Sequence, residues 1–468
     1  MTGTPLIQER EQVTGPDPEP WHKTLRGLVE RGEVDTVLLA LTDMSGEWRG
    51  KPLDAADFLR RAETTDPAWP LCAYVLATDR AMSLHDDFAL VSLGTGLHDL
   101  HLKPAPGTLR VLPWRNATAL ITADAVHPDG TPITVAPRQI LQDQITRLSQ
   151  HGLTAHTGLE AEWTVYQGSP ENIARSRRLN PVVDRSLDLA LNHPQALAAY
   201  MRSLRTALTG AGLPPRTVQS EHGPGQFEAT FAPSDPLTAA DTHLVLQDAV
   251  RHHSYAAGWT ALFMAAPTAD GATNGLHLHL SLRRTDHQLL PTSGNHRLPD
   301  LLRDAVAGLL AALPHLTPLL APTVNSYKRF RPDSGAPVSF GWGWDNRTCA
   351  IRALDHGGDL RLEIRLAGAD ANAYLALAAV LAAVRHGVEH RLPLPEPHTG
   401  NAYHPAPDTQ SVPRTLTEAL TAFQDSPLAI ELFTQPVITH YATALQHEID
   451  THHHTITDTE LHQALTTA

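Results

Sequence analysis

Apolar positions along the chain follow two periods. "WHKTLRGLVERGEV" has helical spacing, and "DTVLLALTD" is an apolar run short enough for a buried strand. "TDMSGEWRGK" then reads as a loop, with Asp, Ser and two Gly. Short strand candidates continue through "TLRVLPWRNATALITADAV". "TVAPRQILQDQITRLSQHG" predicts a helix, with proline near its start and glycine past its end. The longest apolar run is "YLALAAVLAAV", residues 374–384. Eleven residues cannot span a bilayer, so this run predicts a buried helix. Residues 1–20 contain "GPDPEP" and read as a mobile tail. These elements place a small domain at 21–132 and a larger one at 133–468, where helices alternate with short strands. The pattern is α+β, with no repeat at a fixed period.

Inside this pattern four segments carry charge where a strand should be apolar. "GLEAEWTVY" holds Glu160 and Glu162, "LHLHLSL" holds His277 and His279, "LRLEIRL" holds Glu363 and Arg365, and "SEHGPGQFEATF" holds Glu221 and Glu228. In the first three the spacing is two, so both side chains share a strand face. Alone, each pair is more often an exposed face. Together, with apolar flanks, they predict inward-facing carboxylates, which are costly to bury without cations. Carboxylate oxygens plus imidazole suit Mg²⁺ or Mn²⁺, not a thiolate zinc site. Residues 323–352 add Lys328, Arg329, Arg331, Arg347 and Arg352. Divalent cations beside converging arginines are what phosphoryl transfer needs.

Composition narrows the reading. The 468-residue chain is 42% apolar and carries a formal net charge of −14. Nucleic-acid binding would favour a basic stripe, so a basic cluster in an acidic chain points to small anions. Only Cys72 and Cys349 occur, too few for a disulfide framework or a thiolate metal site. The first fifteen residues lack a signal-peptide pattern, and no segment reads as a membrane span, so a cytoplasmic protein is expected. Among 28 histidines, the run "THHHT" at 451–455 reads as a solvated helical surface, because adjacent helical residues point about 100° apart. "GEWRGKP" is one residue short of a phosphate loop and ends in Pro where Ser or Thr should hold magnesium. No G-x-G-x-x-G follows a strand.

In chain order, "LTDMSGEWRGK", "LPWRNATALITAD", "GPGQFE", "GLHLH", "NSYKR", "DNRTCAIR" and "LEIR…NAYL" resemble the glutamine synthetase family, from about residue 24 to the C-terminus. The resemblance implies a small N-terminal β-grasp domain and a large catalytic domain with an antiparallel strand funnel. It implies a homo-oligomer, a dodecamer of two hexameric rings with active sites between neighbours. The implied activity converts glutamate with ATP to γ-glutamyl phosphate, from which an amine displaces phosphate. One metal then falls to Glu162, Glu221 and Glu228, and a second to Glu160, His277 and Glu363. His279, Arg352 and Arg361 would contact ATP, and Arg347 the transferring phosphoryl group. Arg329 would hold glutamate's α-carboxylate, Arg365 its reacting carboxylate, and Asp43 the cation site for the amine.

The chain departs from ammonia-using members at the flap. There a glutamate precedes A-P, closes the pocket and helps take a proton from ammonium. Here "RFRPDSGAPV" has Gly335, with Asp333 two residues earlier. The expectation is a pocket enlarged for a bulkier organic amine. Trp342 and Trp344 either wall that pocket or belong to the core. Before the H-x-H strand, Ala272 and Thr273 replace the family's Asn and Gly, and Asn274 stands one step away as a substitute. The C-terminal "THHHTITDTELHQAL" differs from the usual end, and Tyr403 stands where some members carry a modifiable tyrosine. An alkylammonium near the pKa of Lys costs about 4.6 kcal/mol to deprotonate at neutral pH, whereas an arylamine is already neutral. The expected function is a glutamate–amine ligase. Its alternatives are an ammonia-using glutamine synthetase and a non-catalytic assembly or regulatory protein.

Overall fold

A computed structural model describes residues 21–467 apart from 65–66, 286–296 and 357–358. The expected tail at 1–20 lies outside the described residues. Helix Trp21–Glu30 leads into strand β1 (Thr36–Thr42), where Val37, Leu39 and Leu41 are buried. β1 pairs antiparallel with β2 (Trp48–Asp54) across the "DMSGE" turn. In that turn the Asp43 carboxylate accepts from the amides of Ser45 and Glu47. Gly46 has φ +84, and a Cβ there would lie 3.3 Å from the Asn372 backbone. After β3 (Pro70–Cys72), β4 (Asp99–Pro104) and β5 (Arg110–Val111), β6 (Thr118–Val126) runs parallel to β1. The order is β2-β1-β6-β4-β3, with β5 on β6. Helix Ala55–Ala62, capped by the Asp54 carboxylate on the Asp57 amide, buries Phe58 against Trp69 in a β-grasp arrangement.

A second sheet contains β7 (Leu153–Gln167), β8 (Thr217–Ser220), β9 (Gln226–Thr230), β10 (Trp259–Leu262), β11 (Leu276–Arg284), β12 (Trp342–Trp344), β13 (Ile351–His356) and β14 (Asp359–Ile364). Its order is β12-β13-β14-β11-β7-β9-β8, with β10 on β7, antiparallel except between β12 and β13. Strand periodicity gives the sheet two unlike faces. Leu159, Ala161, Trp163 and Val165 of β7 share one face with Leu276, Leu278 and Leu280 of β11 and with Leu362 and Ile364 of β14, all buried. Each large apolar side chain buried there stabilises the fold by about 1.5–3 kcal/mol. The opposite face carries Glu160, Glu162, His277, His279 and Glu363.

Helix Ala373–His390 is buried from Ala373 to Gly387 and contains the long apolar run. It crosses helix Asp300–Leu316 at two glycines. A Cβ on Gly387 would meet the Asp304 carbonyl at 2.0 Å, and one on Gly308 would meet Gly387 Cα at 2.6 Å. No helix among the described residues is long and apolar enough to cross a membrane. The "THHHT" histidines close helix Gln435–His454 and are exposed.

Candidate active site

Register on the charged face sets which groups meet. Glu160 lies across from His277, Glu162 across from Glu228, and His279 across from Glu363. His277 Nδ1 is 2.7 Å from Glu160 Oε1, 3.8 Å from Glu162 and 3.9 Å from Glu363. Its other nitrogen lies 3.4 Å from Arg329 Nη2. A guanidinium only donates, so Nε2 accepts and Nδ1 faces the three carboxylates. Two triads have ligand atoms within 4.8 Å of one another: Glu160, Glu162 and His277, and Glu160, His279 and Glu363. The resemblance groups Glu162 with Glu221 and Glu228 and assigns His279 to ATP. In the structure Gln219 donates to Glu221 and Glu228, at 3.0 and 3.4 Å.

Charge crowding divides these acids. Burial, then the charges of Glu160, Glu221 and Glu162, push the Glu228 carboxyl up to about 11. Glu221 is raised too, chiefly by burial. At Glu160 burial acts upward, but hydrogen bonds from His277 and His279 outweigh it and hold the group well below the usual range. At Glu363 burial is outweighed by Arg365, His277 and His279, which bring it to about 2. Carboxyl groups crowded round His277, two of them holding protons because burial and like charges oppose their ionisation, form an oxygen-rich set that fits a hard divalent cation, which would displace those protons and the one on His277 Nδ1.

Arginines ring this cluster. Arg329 is buried and donates to the carbonyls of Arg365 and Leu366 at 3.1 and 3.2 Å. Burial lowers it to about 10, so it stays a cation at neutral pH. Arg365 pairs with Glu363 and donates to the Gly335 carbonyl at 3.2 Å. Arg352 donates to Glu363 at 2.7 Å and, through Nε, to Asp345 at 2.9 Å. Asp345 borders a separate hollow of about 510 Å³, lined also by Trp344, Asn346, Arg347 and His398. Arg352 therefore links that hollow to the carboxylates. Arg361, partly exposed, lies on β14 across from Leu354. Asp43 stands apart in the β1–β2 turn, paired with Arg49 at 2.8 Å, and burial raises its pKa.

A cavity of about 240 Å³ opens beside Glu162, Glu221, His277, Arg329 and Arg365, and Gly335 lies on its wall. A Cβ on Gly335 would meet nothing within 4 Å, yet its φ is +82, in the left-handed region that favours glycine. Thr273 and Ala272 line the same cavity. The Thr273 hydroxyl donates to the Ser334 carbonyl at 2.9 Å, and the buried Ser334 hydroxyl shares its one proton between the carbonyls of Arg329 and Arg331, each at 2.7 Å. Arg331 reaches the Gly271 carbonyl. The 331–336 loop is thus fastened to the 271–273 loop.

One expectation changes here, and one alternative is decided. Asn274 does not substitute in the cavity: it is fully buried, donates to the Met264 carbonyl and accepts from Thr164 and Gln226. The tryptophans do not wall the Gly335 cavity. Trp342 is buried with its indole N–H on the Pro395 carbonyl, and Trp344 faces the Arg347 hollow. Other residues escaped sequence reasoning. Gln226, inside the quoted "GPGQFE", donates to Glu162 and to the Thr273 carbonyl at 3.2 and 2.9 Å. The Gly275 amide donates to Glu162 at 2.7 Å, where a Cβ would strike His277 and Arg329. Asp270 and His222 also line the cavity, and no sequence pattern marked them.

Comparison with known proteins agrees with this geometry. The glutamine synthetase catalytic-domain pattern matches residues 134–464. The chain is 39% identical over 442 residues to a γ-glutamylethanolamide synthetase of Streptomyces coelicolor, covering 94% of each protein. It is 31% identical over 426 residues to a glutamate–isopropylamine ligase of a Pseudomonas species, covering 89% of this chain and 92% of that one. A solved GmaS/ADP complex superposes with a TM-score of 0.81 at 24% identity, over 94% of this chain and 99% of the other, which shows a shared fold. A strand face of carboxylates and imidazoles, ringed by arginines and matched across the whole catalytic region, makes this chain a member of the glutamine synthetase family.

Proposed function

We propose that the chain is an ATP-dependent ligase that joins glutamate's γ-carboxylate to a small organic amine through γ-glutamyl phosphate. The observation that carries this reading is the 240 Å³ cavity between the carboxylate cluster and Gly335, where the structure leaves open space beyond the glycine. The relatives named for ethanolamide and isopropylamine products support the same substrate class.

Divalent cations, Mg²⁺ or Mn²⁺, would be held by Glu160, Glu162, Glu221, Glu228, His277 and Glu363, and when bound they neutralise phosphate oxygens. Arg329 binds glutamate's α-carboxylate with the guanidinium donors left over from its two backbone bonds. Arg365, already at the Gly335 carbonyl, orients the reacting carboxylate. Arg352 and Arg361, with His279, receive ATP phosphates, and Arg347 faces the transferring phosphoryl group across the hollow. The amine fills the space beside Gly335, which excludes water and protects the acyl phosphate. Asp43 serves the amine-cation site of a neighbouring subunit in a homo-oligomer. Asp43 is not among the residues lining the Gly335 cavity of its own chain, and mixing Asp43→Ala with Arg347→Ala protein restores activity if subunits share sites.

The deciding experiment measures ADP release from an amine panel at constant glutamate, with Glu228→Ala as control. Ethanolamine and short alkylamines are expected to outrun ammonium, and the variant to lose turnover while remaining folded. Faster free-glutamine formation from ammonium than coupling of any amine would replace this reading with glutamine synthetase.

A further inference from the structure

A second group of metal-ligand side chains lies outside the carboxylate cluster. His386 and His390 stand one turn apart on helix Ala373–His390, and Glu431 comes from helix Pro427–Phe433. One ligand atom from each lies within 4.8 Å of the other two. The imidazole centroids are 4.3 Å apart. His390 Nδ1 lies 3.0 Å from the His386 carbonyl oxygen. A carbonyl only accepts, so Nδ1 carries the proton and neutral His390 presents its Nε2 lone pair. Holding one ring nitrogen on a backbone carbonyl is how metal-binding histidines are commonly oriented. His386 is 9% exposed, and its Nδ1 has no hydrogen-bond partner among the described residues. Glu389, beside His390 in sequence, is already engaged by Arg385 at 2.7 Å and His151 at 2.8 Å.

We propose that His386, His390 and Glu431 form a metal site for a zinc-like transition-metal ion, separate from the catalytic cations. Two imidazoles and one carboxylate suit borderline ions such as Zn²⁺, whereas the carboxylate-rich cluster suits Mg²⁺ or Mn²⁺. Three protein ligands leave a fourth position for water. The ion ties helix Pro427–Phe433 to the end of the buried helix Ala373–His390, so its effect is on stability.

The test uses chelator-treated full-length enzyme in excess Mg²⁺, which occupies the carboxylate cluster. Zinc chloride is titrated by calorimetry, and melting is followed with and without zinc. One further Zn²⁺ per chain and a raised melting temperature are expected. His390→Ala and Glu431→Gln, both at exposed positions, should each weaken that binding by about tenfold or more and remove the melting shift. Unchanged zinc stoichiometry and melting shift in the double variant would overturn the proposal. So would zinc binding that Glu160→Gln alone abolishes, since all the zinc would then sit in the carboxylate cluster.

Discussion

Gly335 combines two properties that a single letter cannot separate. It lacks a side chain, which opens the cavity, and it occupies φ +82, which other residues adopt at a cost of about 1–2 kcal/mol. Two substitutions distinguish them. Gly335→Ala adds the backbone strain and almost no volume, so amine turnover should fall modestly. Gly335→Glu adds the same strain and fills the amine's space with an acid, so turnover of a bulky amine should collapse while ammonium turnover rises. A well-placed general base is worth about 10²- to 10⁴-fold, so partial rescue is measurable. Identical amine and ammonium rates in the two variants would show that strain alone governs this position. The glycine was legible in the sequence as a missing glutamate. Its left-handed backbone was not, because φ is set by how the loop is fastened to residues 271–273.

Among the elements, that fastening and the helix crossing make separate predictions. Thr273→Val keeps shape but removes the donor to the Ser334 carbonyl, a loss of about 1 kcal/mol. Thr273 is a positioning residue, so the KM for amine should rise several-fold with little change in kcat, and Thr273→Ser should restore it. An amine KM unmoved by Thr273→Val would detach this loop from amine binding. At the crossing of helices Asp300–Leu316 and Ala373–His390, Gly387→Ala places a methyl 2.0 Å from the Asp304 carbonyl. Backbones must separate, at about 1–3 kcal/mol. Melting temperature should drop by several degrees, while Gly107→Ala, with nothing within 4 Å of its Cβ, should leave it unchanged. Equal melting of the two variants would mean the crossing is not tight. The apolar run 374–384 announced a buried helix from composition alone. Its glycine contact stayed hidden, because it joins residues nearly eighty positions apart in sequence.

For the whole molecule, two buried histidines shape the acid limb of stability. His243 and His440 are each held at about 4, mainly by burial, with the Arg251 charge adding to the effect at His243. An unfolded histidine titrates near 6.5, so between about 4 and 6.5 the unfolded chain binds more protons. Stability from these groups is therefore complete above 6.5, declines as pH falls, and is lost below about 4. Each contributes roughly 3 kcal/mol at most. In paired denaturant melts from pH 7 to pH 4, wild type should lose stability relative to His440→Leu, although the raised Glu221 and Glu228 act in the opposite sense in both proteins. A variant with an unaltered slope would assign acid sensitivity to other groups.

What the sequence determined by itself was side and type. Period-two spacing put Glu160 with Glu162 and His277 with His279 on single strand faces, and apolar alternates put the opposite face in the core. Hard ligand atoms beside arginines already pointed to phosphoryl chemistry. Tertiary structure decided who meets whom. Glu160 faces His277 across 117 residues of chain. Thr273, not Asn274, reaches the cavity wall, and Trp344 borders the Arg347 hollow instead of the Gly335 space. His386 and His390 acquire Glu431 only when two helices pack. Periodicity is local, because one residue's backbone sets where the next side chain points. Partnership is not, because strand register and helix crossing are chosen by the burial of the whole core.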